Sequence, residues 1–164
     1  MAVPTDFPHP ATLILGDLEN LVGGTRATAP TARAHLAGLG RAAGHAPGDL
    51  TVVAAHPDLI LGVGCDLPFP CQLKVAAPGP DGADRTLLGW ASPDWIVRRF
   101  DRLVIGSGDH GFADLAGRCQ DGGLEVVVVG RQRTIHHRYW QLGCTVRHLE
   151  DFLPDGPTEI ALAA

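Results

Sequence analysis

The sequence predicts an α/β fold, a mostly parallel sheet of five or six strands with helices on both faces. Strand-like and helix-like segments alternate along nearly the whole chain. The strand candidates are short apolar runs, as expected where both sheet faces are covered. The connections between them are long enough for crossover helices.

The strands are expected at 11–17 (ATLILGD), 51–56 (TVVAAH), 71–77 (CQLKVAA), 101–107 (DRLVIGS), 124–130 (LEVVVVG) and 144–149 (CTVRHL). Helices are expected between them at 30–43, 57–63, 82–90, 93–100, 112–120 and 134–142. Leu36, Leu39 and Ala43 hold helical spacing in the first, and Ile135, Tyr139 and Leu142 in the last. The Gly/Pro-rich APGPDGADR at 77–85 reads as an internal loop, because neither half of the chain has enough strands for a core of its own. One domain is expected over 11–150, with loose tails at 1–10 and 151–164.

At 164 residues, 45% hydrophobic and 19% charged, the composition is that of a globular protein. No apolar run approaches the roughly 20 residues of a membrane span, and the N-terminus lacks the basic and apolar regions of a secretory signal. A cytoplasmic protein with no membrane partner is expected. Cys65, Cys71, Cys119 and Cys144 lack C-x-x-C spacing and read as reduced thiols. The net charge of −5 argues against a surface basic all over, and leaves room for a local basic groove. Walker A, G-x-S-x-G and zinc-ligand spacings are missing, and Gly62-Val63-Gly64 does not complete a dinucleotide fingerprint.

In an open parallel sheet, sites form at the carboxyl ends of the strands. Three acids are expected at that edge. Asp17 closes the first strand, Asp109 follows the fourth, and Asp84 lies in the first turn of the helix after the third, which runs back over the same edge. Each alone would serve as a helix cap or first-turn acid. Three together repel one another unless a cation compensates, and Mg²⁺ or Mn²⁺ is the hard, oxygen-liganded choice. Such an ion activates water and neutralises charge on phosphorus.

LILGDLENL resembles the opening strand and D-x-E-N segment of NYN domains, the PIN-like nucleases. FDRLVIGSGDHGFADLAGRCQDGGLEVVVVG is similar to their strand, S-G-D turn, helix and next strand, and GPDGADRTLL resembles the segment with the family's middle acid. The resemblance spans about residues 11–150. It implies a Rossmann-like PIN domain and metal-dependent cleavage of RNA, with Asp17, Asp84 and Asp109 in the metal-binding and catalytic positions and Asn20 as a supporting polar residue. Two positions depart from it. Gly111 stands where a further Asp is common, and Trp90 where many members have an acid. Asp114 and Glu19 are the acids that could compensate, each with an alternative place as a solvated or capping residue. One metal or two is left open.

Ser107 and His110 flank the S-G-D acid as supporting candidates. GRQRTIHHRYW at 130–140 sets cations beside aromatic rings, a composition suited to single-stranded backbone and bases. Arg131, Arg133 and His137 are its candidate RNA contacts; the alternative is a solvated helix face with Tyr139 in the core. The functional expectation is an endoribonuclease using metal-activated water. The rival is an RNA-binding or protein-interaction module that keeps the fold without turnover, and a nucleotide-binding regulator rests on fold analogy alone. RNA is the expected partner, and a homo-oligomer is left open.

Overall fold

Six short runs of apolar and β-branched residues form one parallel sheet in the computed structural model, which describes residues 9–64 and 66–154. In chain order the strands are β1 Thr12–Asp17, β2 Leu50–Ala55, β3 Gln72–Val75, β4 Arg102–Gly106, β5 Glu125–Gly130 and β6 Thr145–His148. The helices are α1 Leu18–Val22, α2 Ala29–Ala43, α3 Pro57–Val63, α4 Gly82–Trp90, α5 Pro93–Arg99, α6 Ala113–Asp121 and α7 Arg138–Gln141. Every strand pair is parallel. The expected α/β architecture, Rossmann-like with helices on both faces, is what the chain adopts.

Alternation along each strand divides the core in two. Leu13, Leu15, Leu103, Ile105, Val126 and Val128 face one side, where they meet Leu87 of α4, Ile96 of α5 and Ala116 and Cys119 of α6. Ile14, Val104, Val127 and Val129 face the other, against Leu18 and Leu21 of α1, Leu36 and Leu39 of α2 and Leu59 of α3. Burial on both faces explains why β1, β4 and β5 read as continuous apolar runs.

The strand order β3-β2-β1-β4-β5-β6 positions the site. From β1 the chain steps outward through β2 to β3, then crosses back through α4 and α5 to lay β4 on the other side of β1. Loops leaving β1 and β4 therefore diverge, and a crevice opens at the carboxyl ends of those two strands.

Three expectations need amendment. The helix expected over 134–142 is confined to Arg138–Gln141 and preceded by turns. Its N-terminal half is drawn into irregular backbone because the His136 N–H donates to Gly108 O at 2.9 Å. The short α1 and the 3₁₀ turn His110–Phe112 are additional elements, each started by an acid in the cap position. Past residue 150 the chain still packs: Leu149–Phe152 form a 3₁₀ turn, and Arg41 Nε of α2 donates to Phe152 O at 2.8 Å. The remainder of the expected tails, 1–8 and 155–164, and Cys65 lie outside the described residues.

Candidate active site

The crevice holds a cleft of about 820 Å³ lined by Asp17, Asp84 and Asp109 together with Glu19, Asn20 and Arg131. Each acid reaches it by a different local route. Asp17 ends β1 and caps α1, its Oδ1 accepting from Asn20 N at 3.1 Å. Asp109 leaves β4 and caps the 3₁₀ turn, its Oδ1 accepting from Gly111 N at 2.8 Å. Asp84 belongs to the first turn of α4, where neighbouring Ala83 and Leu87 anchor the helix in the core.

Asp84 is buried, and its Oδ1 has no hydrogen-bond partner among the described residues. Burial first, then the negative charge of Asp17, a hydrogen bond between the two carboxyls and the charge of Asp109 hold its carboxyl up to about 8. Asp17 is also raised by burial, against the opposing Asn20 N–H. A buried carboxyl left without a partner is costly in any fold, because the charged form gives up its hydration. Here the buried Asp84 carboxyl confronts a second buried carboxyl, that of Asp17.

A lattice of polar contacts holds the two diverging loops. Asn20 Oδ1 accepts from Gly108 N at 2.9 Å, which ties the β1 loop to the β4 loop across the crevice. Arg131 Nε donates to Asn20 O at 3.1 Å, adding the β5 loop. Buried Ser107 accepts from Asp109 N at 3.2 Å, and the Tyr139 hydroxyl donates to Asp109 O. The side chains of Asn20 and Ser107 both hold backbone, the Gly108 N–H and the Asp109 N–H respectively. Asn20→Ala is expected to leave the Gly108 N–H unpaired and to cost about 1–3 kcal/mol, read by urea denaturation, with Asn20→Asp retaining most of the stability.

The other expected residues separate. His110 is exposed on the rim, its Nδ1 3.2 Å from Asp109 Oδ1. Asp114 is exposed and paired with Arg138 at 2.8 Å, and it does not line the cleft. Of the expected RNA contacts only Arg131 lines it; Arg133 and His137 are exposed outside it. Tyr139 is fully buried and unavailable for stacking, whereas Trp140 stands half exposed.

Gly111 faces the acids for a steric reason. A Cβ there would lie 2.7 Å from Asp84 Oδ2 and 3.4 Å from Asp109 Oδ1, so a side chain at this position would point into the carboxylate group and force Asp84 or the turn to shift. Its φ is not in the left-handed region, and close approach alone demands glycine. Trp90, at the end of α4, instead meets Trp95 edge-on at 5.4 Å and belongs to the packing beneath the sheet.

Asp81, which also lines the cleft, was not among the expected site residues. It is the one non-glycine among the described residues with a left-handed backbone, at φ 54°, a conformation that Asp tolerates better than most. Its signal was the Pro-Asp-Gly turn in APGPDGADR.

The donor set, all carboxylate oxygens, suits a hard divalent ion, and the unpartnered Asp84 Oδ1 is a lone pair for it to take. In the present side-chain arrangement no three His, Cys, Asp or Glu groups among the described residues already converge as ligands. Asp17 and Asp84, both raised and set against each other, titrate as a pair.

No family model matches the chain, and no curated protein matches it. Among solved structures, a protein of unknown function from Vibrio parahaemolyticus overlays with a TM-score of 0.59 at 18% identity, covering 92% of this chain and 99% of its own. The MAR1 ribonuclease from Caenorhabditis elegans gives a TM-score of 0.43 at 14% identity, over 85% of this chain and 77% of its own. A Leishmania major protein provisionally named as the same enzyme gives 0.46 at 15%, over 88% and 81%. The Vibrio likeness is one of fold alone.

Proposed function

We propose that this chain is a metal-dependent endoribonuclease of the NYN, PIN-like type, with Asp17, Asp84 and Asp109 holding Mg²⁺ or Mn²⁺. The observation that carries the reading is the buried Asp84 carboxyl, unpartnered at Oδ1 and set against Asp17 at the crevice between β1 and β4. A bound ion would activate water and offset charge on the phosphoryl oxygens. Hydrolysis adds the water oxygen to phosphorus, breaks the bond to the leaving ribose oxygen, and passes a proton to that oxygen. Arg131 is placed to contact a phosphate: its Nε is fixed on Asn20 O, so the guanidinium is oriented before substrate arrives. The Asn20–Gly108 bond keeps Asp17 and Asp109 in register across the crevice.

Two observations favour a second reading, an RNA-binding module without turnover. An acid at Gly111 would have to displace the Asp84 carboxylate, and among the described residues no three His, Cys, Asp or Glu groups converge as ligands. Incubation of labelled single-stranded RNA with Mn²⁺ or EDTA separates the two. The nuclease reading expects cleavage with Mn²⁺, none with EDTA, and a loss of at least 100-fold in Asp109→Asn. Tight RNA binding with no cleavage in any metal would favour the module.

A further inference from the structure

We infer that the substrate strand leaves the acidic cleft over the α1–α2 loop and that Arg26 holds a flanking phosphate in a second cavity there; the inference rests on the RNA reading above. The second cavity, about 400 Å³, is lined by Val22 to Ala27 and Thr31. Gly23 and Thr25 line both cavities, so the two are neighbours across one thin wall.

Charge decides the route. The main cleft carries five acids, Asp17, Glu19, Asp81, Asp84 and Asp109, and one arginine, Arg131. A polyanion cannot lie along that surface without a cation for each phosphate beyond the one being cut. The Arg131 guanidinium presses on the shared wall, with Nη1 2.7 Å from where a Cβ of Gly23 would be. Beyond the wall, the second cavity has no acid among its lining residues and one cation, Arg26, exposed and without a side-chain hydrogen bond or ion pair among the described residues. The wall itself is low: Gly24 has open space around its Cβ position. Two arginines on either side of a glycine step, leading away from an acidic centre, make a track for successive phosphates. Arg133 and His137 line neither cavity.

The test is fluorescence anisotropy of a labelled 12-nucleotide oligouridine RNA with the full chain in EDTA, across a salt series. Arg26→Glu is expected to weaken binding at least fivefold, and Arg26→Ala to lower the log–log salt slope by roughly 0.7, one phosphate's worth for a single strand. Arg98→Glu, an equal charge change on exposed α5, is expected to stay within twofold of wild type, with melting unchanged in all three. Arg26→Glu within twofold of wild type while Arg133→Glu weakens binding would overturn the route and leave the RNA reading intact. Failure of the wild-type chain to bind or cleave the RNA, in EDTA and in Mn²⁺ alike, would overturn both.

Discussion

Asp84→Asn is expected to raise the melting temperature in EDTA at pH 8 and, in the same protein, to abolish stabilisation by Mn²⁺ and cleavage of RNA. The sign follows from proton binding. In the folded chain Asp84 keeps its proton up to about pH 8, whereas the unfolded chain releases it near pH 4. Between those values the folded state binds more protons, so stability falls as pH rises and levels off above about 8. Asp17, raised in the same direction, adds to the slope. A neutral amide removes the Asp84 contribution, so wild type and variant should melt together near pH 4 and diverge towards pH 8–9. Each kcal/mol of relieved burial cost corresponds to roughly 2–4 °C for a domain of this size. With metal the order reverses: wild type gains about 2.7 kcal/mol at an ion concentration 100 times its dissociation constant, and Asp84→Asn gains little. Scanning calorimetry across pH, with EDTA and with Mn²⁺, reads both halves. A variant less stable than wild type at pH 8 in EDTA would mean that the carboxyl is not a strained ligand but a structural one.

Gly111→Asp is expected to damage the site rather than complete it. By resemblance the position lacks an acid, and adding one would tighten metal binding. The geometry argues otherwise, because the new Cβ would fall 2.7 Å from Asp84 Oδ2. Either Asp84 or the 3₁₀ turn must shift, at about 1–3 kcal/mol for a clash of this kind. Gly111→Ala isolates the steric part. It should lower stability in EDTA by a similar amount and weaken Mn²⁺ binding, even though no charge changes. Gly111→Asp should then be at least as destabilising as Gly111→Ala, since it adds one more negative charge among three. Tighter Mn²⁺ binding by Gly111→Asp than by wild type would show that Asp84 moves aside freely.

That glycine marks how far sequence carried the reading. Strand periods and the acids at 17, 84 and 109 are local properties, and the carboxyl-edge rule for parallel sheets turns them into one site without knowledge of strand order. What escaped depends on contacts between residues far apart in the chain. Asn20 reaches Gly108, 88 positions away, and Arg131 reaches back 111 positions to Asn20. The void that Asp84 fills over Gly111 is likewise a meeting of two loops. The helix of the basic segment came out shorter for a similar reason: apolar spacing at Ile135, Tyr139 and Leu142 suggests a helix over 134–142, but the His136 N–H is drawn to Gly108 O and the helix keeps only Arg138–Gln141. Tyr139 is buried, as the alternative reading of that segment has it.

The central claim is that Asp84, set beside Asp17 at the crevice, gives up its proton to a divalent ion held with Asp17 and Asp109, and calorimetric titration of Mn²⁺ at pH 8, repeated in two buffers of different ionisation enthalpy, tests it most directly. Wild type should bind the ion with release of a proton, since burial and the Asp17 charge hold the Asp84 carboxyl up to about 8, and the observed heat should therefore depend on the buffer. Asp84→Asn should bind at least tenfold more weakly and without the buffer dependence. Equal affinity in the two proteins, or no binding by wild type at millimolar Mn²⁺, would contradict the claim.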